Sequence, residues 1–188
     1  GLCGFAVVLL YPQLQRMDAV PDLGDPLFSI WRSGWVLHKL HGDPRSVRSF
    51  ASMPVVVVAY SGGYLATAWS VHHGGLGRRL RGVVLFDALY GELDMFADWI
   101  TRQKSAFFVS SYTTPTQARN LQLQKMLTDR EIGFSTELEP RLEPGSITFL
   151  AGTKDAAHKD FLIHAWVDDP LKDLLTRLKG YARDAKAR

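Results

Sequence analysis

One serine, one aspartate and one histidine follow three predicted strands, in a pattern that could activate a nucleophile. Ser61 comes directly after a run of valines, Asp87 follows the apolar run 82–86, and His158 follows the last predicted strand, 147–150. A serine hydroxyl becomes a strong nucleophile when a histidine takes its proton and a carboxylate orients the histidine. We therefore expect Ser61, Asp87 and His158 to act together if the fold brings them to one place.

The turn around Ser61 has the composition that such a nucleophile needs. Residues 55–59 predict a buried strand, residues 64–72 predict a helix, and Ser61 lies between them in Ala-Tyr-Ser-Gly-Gly. A sharp strand-to-helix turn exposes the serine side chain at the edge of a sheet, and its crowded backbone requires small neighbours, here Ala59 and Gly63. The amide of Gly62 would then lie near the position where an oxyanion develops.

This arrangement resembles the α/β-hydrolase family, whose elbow reads Gly-x-Ser-x-Gly. The chain matches at Ser61 and Gly63 and has Ala59 at the first position. The acid and the base of that family follow the serine in chain order, as Asp87 and His158 do here. The resemblance implies a serine hydrolase, similar to esterases, lipases or amidases, that cleaves an acyl bond in a small-molecule substrate through an acyl-enzyme and needs no cofactor.

The resemblance also implies a particular fold. The expected class is α/β, with a doubly wound, mostly parallel sheet between two layers of helices. Residues 1–188 would form a single domain that lacks the family's N-terminal strands and is left with an unpaired sheet edge. A second oxyanion donor would come from a loop after a strand upstream of residue 5, which the chain does not contain.

The acid and the base each have alternatives. The family more often carries its acid one strand later, but the loop after 107–110 contains no carboxylate, so Asp87 is favoured, with Glu92 or Asp94 as substitutes. Asp87 could instead cap the segment that follows it. For the base, His164 competes with His158, but it lies among apolar residues and is expected to be a packed histidine.

Aromatic residues near the elbow are candidates for substrate binding. Tyr60, Tyr64 and Tyr90 could line an apolar pocket for an acyl chain or a ring. Aromatic side chains are more often core residues, and that remains the alternative for each of them.

Two other sequence patterns are weaker evidence for a binding site. His72 and His73 are adjacent, so on a helix they point in different directions, and no third ligand lies nearby; we expect no metal site. The turn at Gly62 and Gly63 could hold a phosphate, but it lacks the flanking residues of nucleotide-binding loops.

Alternating strands and helices predict parallel βαβ units throughout the chain. Beyond the elements already named, we expect a strand at 5–10, a loop at 18–26 and helices near 31–41, 95–102 and 116–130. A further strand covers 106–110. The helix at 116–130 would use Ala118, Leu121, Met126 and Leu127 as its apolar face, and Gly74 would end the helix after the elbow. A last amphipathic helix begins after Asp169, with its apolar stripe at Leu171, Leu174, Leu175, Leu178 and Tyr181.

Composition narrows the classes of function. With 22 basic and 19 acidic residues, the chain does not require a nucleic acid partner. The lone Cys3 excludes an internal disulfide, and no apolar run approaches the roughly 20 residues of a membrane span, so we expect a soluble protein. A cytoplasmic location is favoured, although no residue requires it. The alternative to a hydrolase is a non-catalytic binding or interaction domain on the same fold, because fold does not determine function. It does not identify the substrate or the oligomeric state.

Overall fold

The computed structural model describes residues 6–10 and 54–178. Its strands are β1 (Ala6–Leu10), β2 (Val55–Tyr60), β3 (Leu80–Phe86), β4 (Phe107–Tyr112) and β5 (Ile147–Ala151). Its α-helices are α1 (Tyr64–His73), α2 (Leu93–Arg102), α3 (Thr114–Asp129) and α4 (Pro170–Thr176). The loop expected at 18–26 and the helix expected at 31–41 lie outside the described residues.

The five strands form one parallel sheet in the order β1-β2-β3-β4-β5. Leu10 pairs with Ala59, and Phe86 pairs with Tyr60 on one side and Ser111 on the other. The carboxyl ends of β1 to β4 therefore meet at one edge of the sheet. The α/β class and the parallel sheet are confirmed. The reversal of strand order that a doubly wound sheet requires does not occur among the described strands.

Strands β2 to β5 are buried on both faces of the sheet, which explains their continuous apolar sequences. In β2, Val55, Val57 and Ala59 pack against one layer, while Val56 and Val58 pack against the other. Helices α1, α2 and α3 supply the first layer, where Phe96, Phe108 and Phe149 are among the buried rings. Each connection from β2 to β5 thus contributes its helix to the same face.

The buried face of helix α3 differs from the apolar face predicted from the sequence. Its buried positions are Thr116, Asn120, Leu123 and Leu127, which share one helical stripe. Ala118 is exposed and Leu121 is 49% exposed, so that part of the predicted apolar face is wrong, whereas Leu127 is confirmed. The buried stripe includes Thr116 and Asn120 because both side chains have hydrogen-bond partners inside the molecule.

The C-terminal segment covers the second face. Phe161, Leu174 and Leu178 are buried there against side chains from β2, β3 and β4. Helix α4 begins at Pro170, as predicted. Tyr181, the last member of the predicted stripe, lies outside the described residues.

The helix that follows the elbow ends as expected. The N–H of Gly74 donates to the carbonyl oxygen of Ser70, and Gly74 has a φ of 77°. A positive φ of this size favours glycine over residues with a Cβ. None of the helices in the described parts of the chain is long and apolar enough to span a bilayer.

Candidate active site

Ser61 begins a single 3₁₀ turn, Ser61–Gly63, between β2 and α1. Its φ is 55°, in the left-handed region that residues with a Cβ rarely adopt. Such a conformation costs on the order of 1–3 kcal/mol and requires support from the surrounding structure. The support comes from Val58 and Ala59, both fully buried, and from Gly63, which is also buried.

His158 lies between Ser61 and Asp87. It begins the short 3₁₀ helix His158–Asp160 in the long segment between β5 and α4. Its Nε2 is 3.0 Å from the hydroxyl oxygen of Ser61, and its Nδ1 is 2.7 Å from Oδ2 of Asp87. One imidazole thus links two residues that precede it by 97 and 71 positions.

Asp87 is fully buried at the end of β3 and accepts several hydrogen bonds. The backbone N–H of Thr113 donates to Oδ1 at 2.9 Å, and the Thr113 hydroxyl donates to Oδ2 at 2.6 Å. The hydroxyl of Thr116 donates to Oδ1 as well. With His158 on Oδ2, both carboxylate oxygens are fully engaged by donors.

These donors determine the charge of Asp87. Burial alone would raise the pKa of its carboxyl, but the hydrogen bonds from Thr113, Thr116 and His158 outweigh burial and hold the pKa below its ordinary value. An ionised carboxylate only accepts hydrogen bonds, so the proton of a neutral His158 ring lies on Nδ1. Its Nε2 therefore faces Ser61 as an acceptor, which is the arrangement required to take the serine proton.

Sequence reasoning missed Thr113 and Thr116 as partners of Asp87. The loop after β4 was noted only for its lack of a carboxylate. The available signal was the run Thr-Thr-Pro-Thr at 113–116, which follows a strand that neighbours β3. Polar residues at that edge are close to the end of β3, and a buried carboxylate there needs donors.

Asp87 does not cap the segment that follows it, which was its alternative role, because the N-cap residue of α2 is Glu92. The backbone N–H that donates to Asp87 belongs to Thr113, the residue before α3. The ring nitrogens of His158 bond to Asp87 and Ser61, and the structure gives them no bond to Glu92 or Asp94, the substitute acids.

His164 is not the packed histidine that its apolar neighbours suggested. Its side chain is 45% exposed, and its Nδ1 is 2.8 Å from Oδ1 of the exposed Asp168. A tight turn holds the pair together, since these two residues also form an isolated antiparallel bridge. The apolar neighbours do not bury His164, because Ile163 and Val167 are themselves exposed.

The three tyrosines have different positions around the site. The ring of Tyr60 stacks on the imidazole of His158, with centroids 4.9 Å apart and planes 20° apart. The ring of Tyr90 is edge-on to His158 at 6.4 Å and lies 5.9 Å from the ring of Tyr64. Burial, followed by the electrostatic influence of the Asp87 carboxylate and of the neighbouring Tyr60 hydroxyl, raises the pKa of the Tyr90 hydroxyl. Tyr90 thus lies beside the histidine and next to Tyr64, whereas Tyr60 stacks directly on the histidine ring.

Other candidate sites have no such convergence. Gly62 is next to Ser61 and half-buried, and its role as an oxyanion donor stays a prediction. His72 and His73 are exposed, with rings 5.5 Å apart and edge-on. Across residues 6–10 and 54–178, no three histidine, cysteine, aspartate or glutamate side chains are grouped as a metal site would require. A cavity of about 220 Å³ lies beside Leu80, at the start of β3, and none of Ser61, Asp87 and His158 lines it.

Comparison with known proteins identified no relative. No family model, no curated protein and no solved structure matches the chain. The geometry of Ser61, His158 and Asp87 is therefore the basis for a functional assignment.

Proposed function

We propose that the chain is a serine hydrolase that cleaves an acyl bond through a covalent intermediate on Ser61. One observation carries this proposal: the His158 ring bridges the Ser61 hydroxyl at 3.0 Å and the Asp87 carboxylate at 2.7 Å. Both distances are within the range in which a base takes a proton directly. Three residues that are far apart in the chain thus lie side by side, with the base between the nucleophile and the acid.

The proposed reaction has two steps. The Ser61 oxygen attacks the carbonyl carbon of the substrate while His158 takes the hydroxyl proton. The tetrahedral intermediate then collapses, the bond to the leaving group breaks, and His158 returns the proton to the departing alcohol or amine. In the second step, water attacks the acyl-serine, His158 takes and returns one proton, and the carboxylic acid leaves. Asp87 keeps its charge and orients the imidazole throughout.

The oxyanion would be stabilised at the start of α1. The Gly62 amide and the positive end of the helix dipole favour negative charge there. Leu10 pairs with Ala59, so the chain leaves β1 at the same edge of the sheet as the elbow.

The resemblance to α/β hydrolases belongs to the same proposal. The parallel sheet, the left-handed serine after β2 and the chain order of Ser61, Asp87 and His158 support it. In this scheme β3 carries the acid, one strand earlier than is more usual in that family. Thr113, at the end of the next strand, binds that acid.

For the substrate, we propose a small acyl compound whose apolar portion contacts Tyr64 and Tyr90. Their rings are 5.9 Å apart, and the Tyr90 ring lies 6.4 Å from the His158 ring. Tyr90 is 36% exposed, so part of its surface is open to a ligand. Aromatic side chains offer apolar surface at low entropic cost.

Labelling with an alkyl fluorophosphonate tests the activity without knowledge of the substrate. An activated serine oxygen forms a bond to phosphorus, fluoride leaves, and the histidine takes the serine proton. We expect the purified chain to be labelled on Ser61, with labelling lost in Ser61→Ala and reduced by about 10³-fold or more in His158→Gln.

Two matched controls are available in the same chain. Ser70→Ala removes an exposed serine of α1, and His164→Gln removes a histidine that also pairs with an aspartate. Both should be labelled at the unaltered rate. A folded chain that resists labelling would overturn the hydrolase proposal and favour the binding-domain alternative.

A further inference from the structure

Tyr60 directly precedes the proposed nucleophile, Ser61, in the chain, and its side chain contacts the proposed base, His158. Its hydroxyl donates to the backbone carbonyl oxygen of His158 at 2.7 Å, across 98 positions of sequence. Its ring stacks on the His158 imidazole with a centroid separation of 4.9 Å.

These contacts do not suit a substrate-binding role. The imidazole covers one face of the Tyr60 ring, and the Tyr60 hydroxyl hydrogen is used by a backbone carbonyl. The Tyr90 ring, by contrast, meets His158 edge-on at 6.4 Å. Tyr60 is therefore distinct from the two aromatic residues that we assign to the substrate.

We propose that Tyr60 is a positioning residue, which fixes the His158 ring beside Ser61 and stabilises the positive charge that His158 gains during attack. This inference rests on the proposed function and adds a role for a residue of the same site. The faces of an aromatic ring carry partial negative charge, and a cation within about 6 Å of the ring centroid is attracted to them. Asp87 can stabilise the imidazolium only in the ring plane, through Nδ1, whereas Tyr60 acts on its face.

The hydrogen bond provides the second part of this role. His158 lies in a segment of irregular structure between β5 and α4, where regular backbone pairing contributes little. The Tyr60 hydroxyl ties the backbone of His158 to the residue that precedes Ser61. His158 is therefore expected to move together with the turn that carries Ser61, so that its Nε2 stays within hydrogen-bond distance of the serine oxygen.

Two substitutions separate the ring from the hydroxyl. Tyr60→Phe keeps the stacked ring and loses the hydrogen bond, whereas Tyr60→Leu loses both. Labelling by the alkyl fluorophosphonate is measured over a range of probe concentrations, which gives a maximal rate and a half-saturating concentration. Tyr64→Leu serves as the contrasting variant, because Tyr64 belongs to the proposed substrate surface.

We expect the maximal labelling rate to fall by about tenfold in Tyr60→Leu and by about two- to threefold in Tyr60→Phe, with half-saturation changed less than twofold in both. Tyr64→Leu should give the opposite split, with a raised half-saturating concentration and a nearly unchanged maximal rate. Nuclear magnetic resonance supplies an independent signature. The His158 ring protons should show a ring-current shift that survives in Tyr60→Phe and disappears in Tyr60→Leu.

Several results would overturn the inference. One is an unaltered maximal rate in Tyr60→Leu, and another is a Tyr60→Leu effect confined to half-saturation, which would return Tyr60 to substrate binding. If Tyr60→Leu does not fold, Tyr60→Phe decides, and a rate equal to that of the unaltered chain would exclude the hydroxyl contact. Failure of the unaltered chain to be labelled would instead contradict the proposed function, and this inference with it.

Discussion

Thr113 and Asp87 are joined by two hydrogen bonds, one from the Thr113 backbone N–H and one from its hydroxyl. They end neighbouring strands, β4 and β3, so the contact follows from the parallel register of the sheet. Under the proposed resemblance to α/β hydrolases, this donor follows the strand at whose end that family more often carries its acid.

Asp87→Asn should reduce labelling of Ser61 by about 10³- to 10⁴-fold while the chain stays folded. An amide can donate to Nδ1 of His158, which would move the ring proton to Nε2 and leave no acceptor for the serine hydroxyl. Fluorophosphonate labelling rates measure the effect. Asp168→Asn is the matched control, since Asp168 binds His164 instead. Equal labelling of both variants would show that Asp87 does not orient the base.

The acid can be moved to the neighbouring strand if the geometry around Thr113 is as described. The Thr113 hydroxyl lies 2.6 Å from Oδ2 of Asp87, the oxygen that binds His158. In the double variant Asp87→Ala with Thr113→Asp, we expect labelling to recover at least about tenfold over Asp87→Ala alone. Asp87→Ala with Thr113→Asn lacks the charge and should show no recovery. Absence of recovery with the aspartate would mean that position 113 cannot reach His158.

The stability of the chain should decrease in acid through Asp87. Because hydrogen bonds lower the pKa of this carboxyl below its ordinary value of 3.8, the unfolded chain binds the proton more tightly than the folded chain. The stabilisation is therefore fully present above pH 3.8 and is lost as the pH falls through the lower pKa of the folded state.

Urea unfolding between about pH 6 and about pH 3 measures this dependence. The free energy of unfolding of the unaltered chain should fall more steeply below pH 4 than that of Asp87→Asn. Asp155→Asn, which alters an exposed carboxyl, should follow the unaltered chain. Parallel curves for the unaltered chain and Asp87→Asn would contradict the lowered pKa.

The left-handed backbone of Ser61 should be measurable as strain. Ser61→Gly and Ser61→Ala both remove the hydroxyl, but glycine adopts a φ of 55° without steric cost. We expect Ser61→Gly to be more stable than Ser61→Ala by about 0.5–1 kcal/mol in chemical unfolding. At Ser70, in the regular helix α1, the order should reverse, because glycine destabilises a helix relative to alanine. The same order at both positions would argue against strain at the elbow.

Gly152→Ala should impair labelling although residue 152 contacts none of the three reacting side chains. A Cβ at Gly152 would lie 2.7 Å from the ring of Phe161, which is fully buried just after the His158 turn. The ring must move, and the segment that carries His158 moves with it. We expect slower labelling and a loss of about 1–3 kcal/mol in stability.

Gly133→Ala is the control for this substitution, since nothing lies within 4 Å of its added Cβ. It should change neither labelling nor stability by a comparable amount. A fully active Gly152→Ala variant would show that the segment between β5 and α4 accommodates the extra methyl group without displacing His158.

Within residues 54–178, the sequence by itself determined the strands, the helices and the edge of the sheet at which chemistry could occur. Continuous valines in β2 identify a strand buried on both faces, and Ser61 with Gly63 identifies the turn after it. The carboxyl ends of parallel strands meet at one edge, so the proximity of Asp87 to Ser61 could be anticipated. These features depend on residues close together in the chain.

Tertiary structure decided which polar side chains support the site. Apolar periodicity marks buried positions, so it overlooked Thr116 and Asn120, which are polar and buried because each has a partner. The same limit made Leu121 look buried and His164 look packed. The contact of Tyr60 with His158 spans 98 positions, and no local pattern encodes it. Hydrogen bonds and ring stacking between distant segments depend on how the layers pack, which residue type and spacing along the chain do not specify.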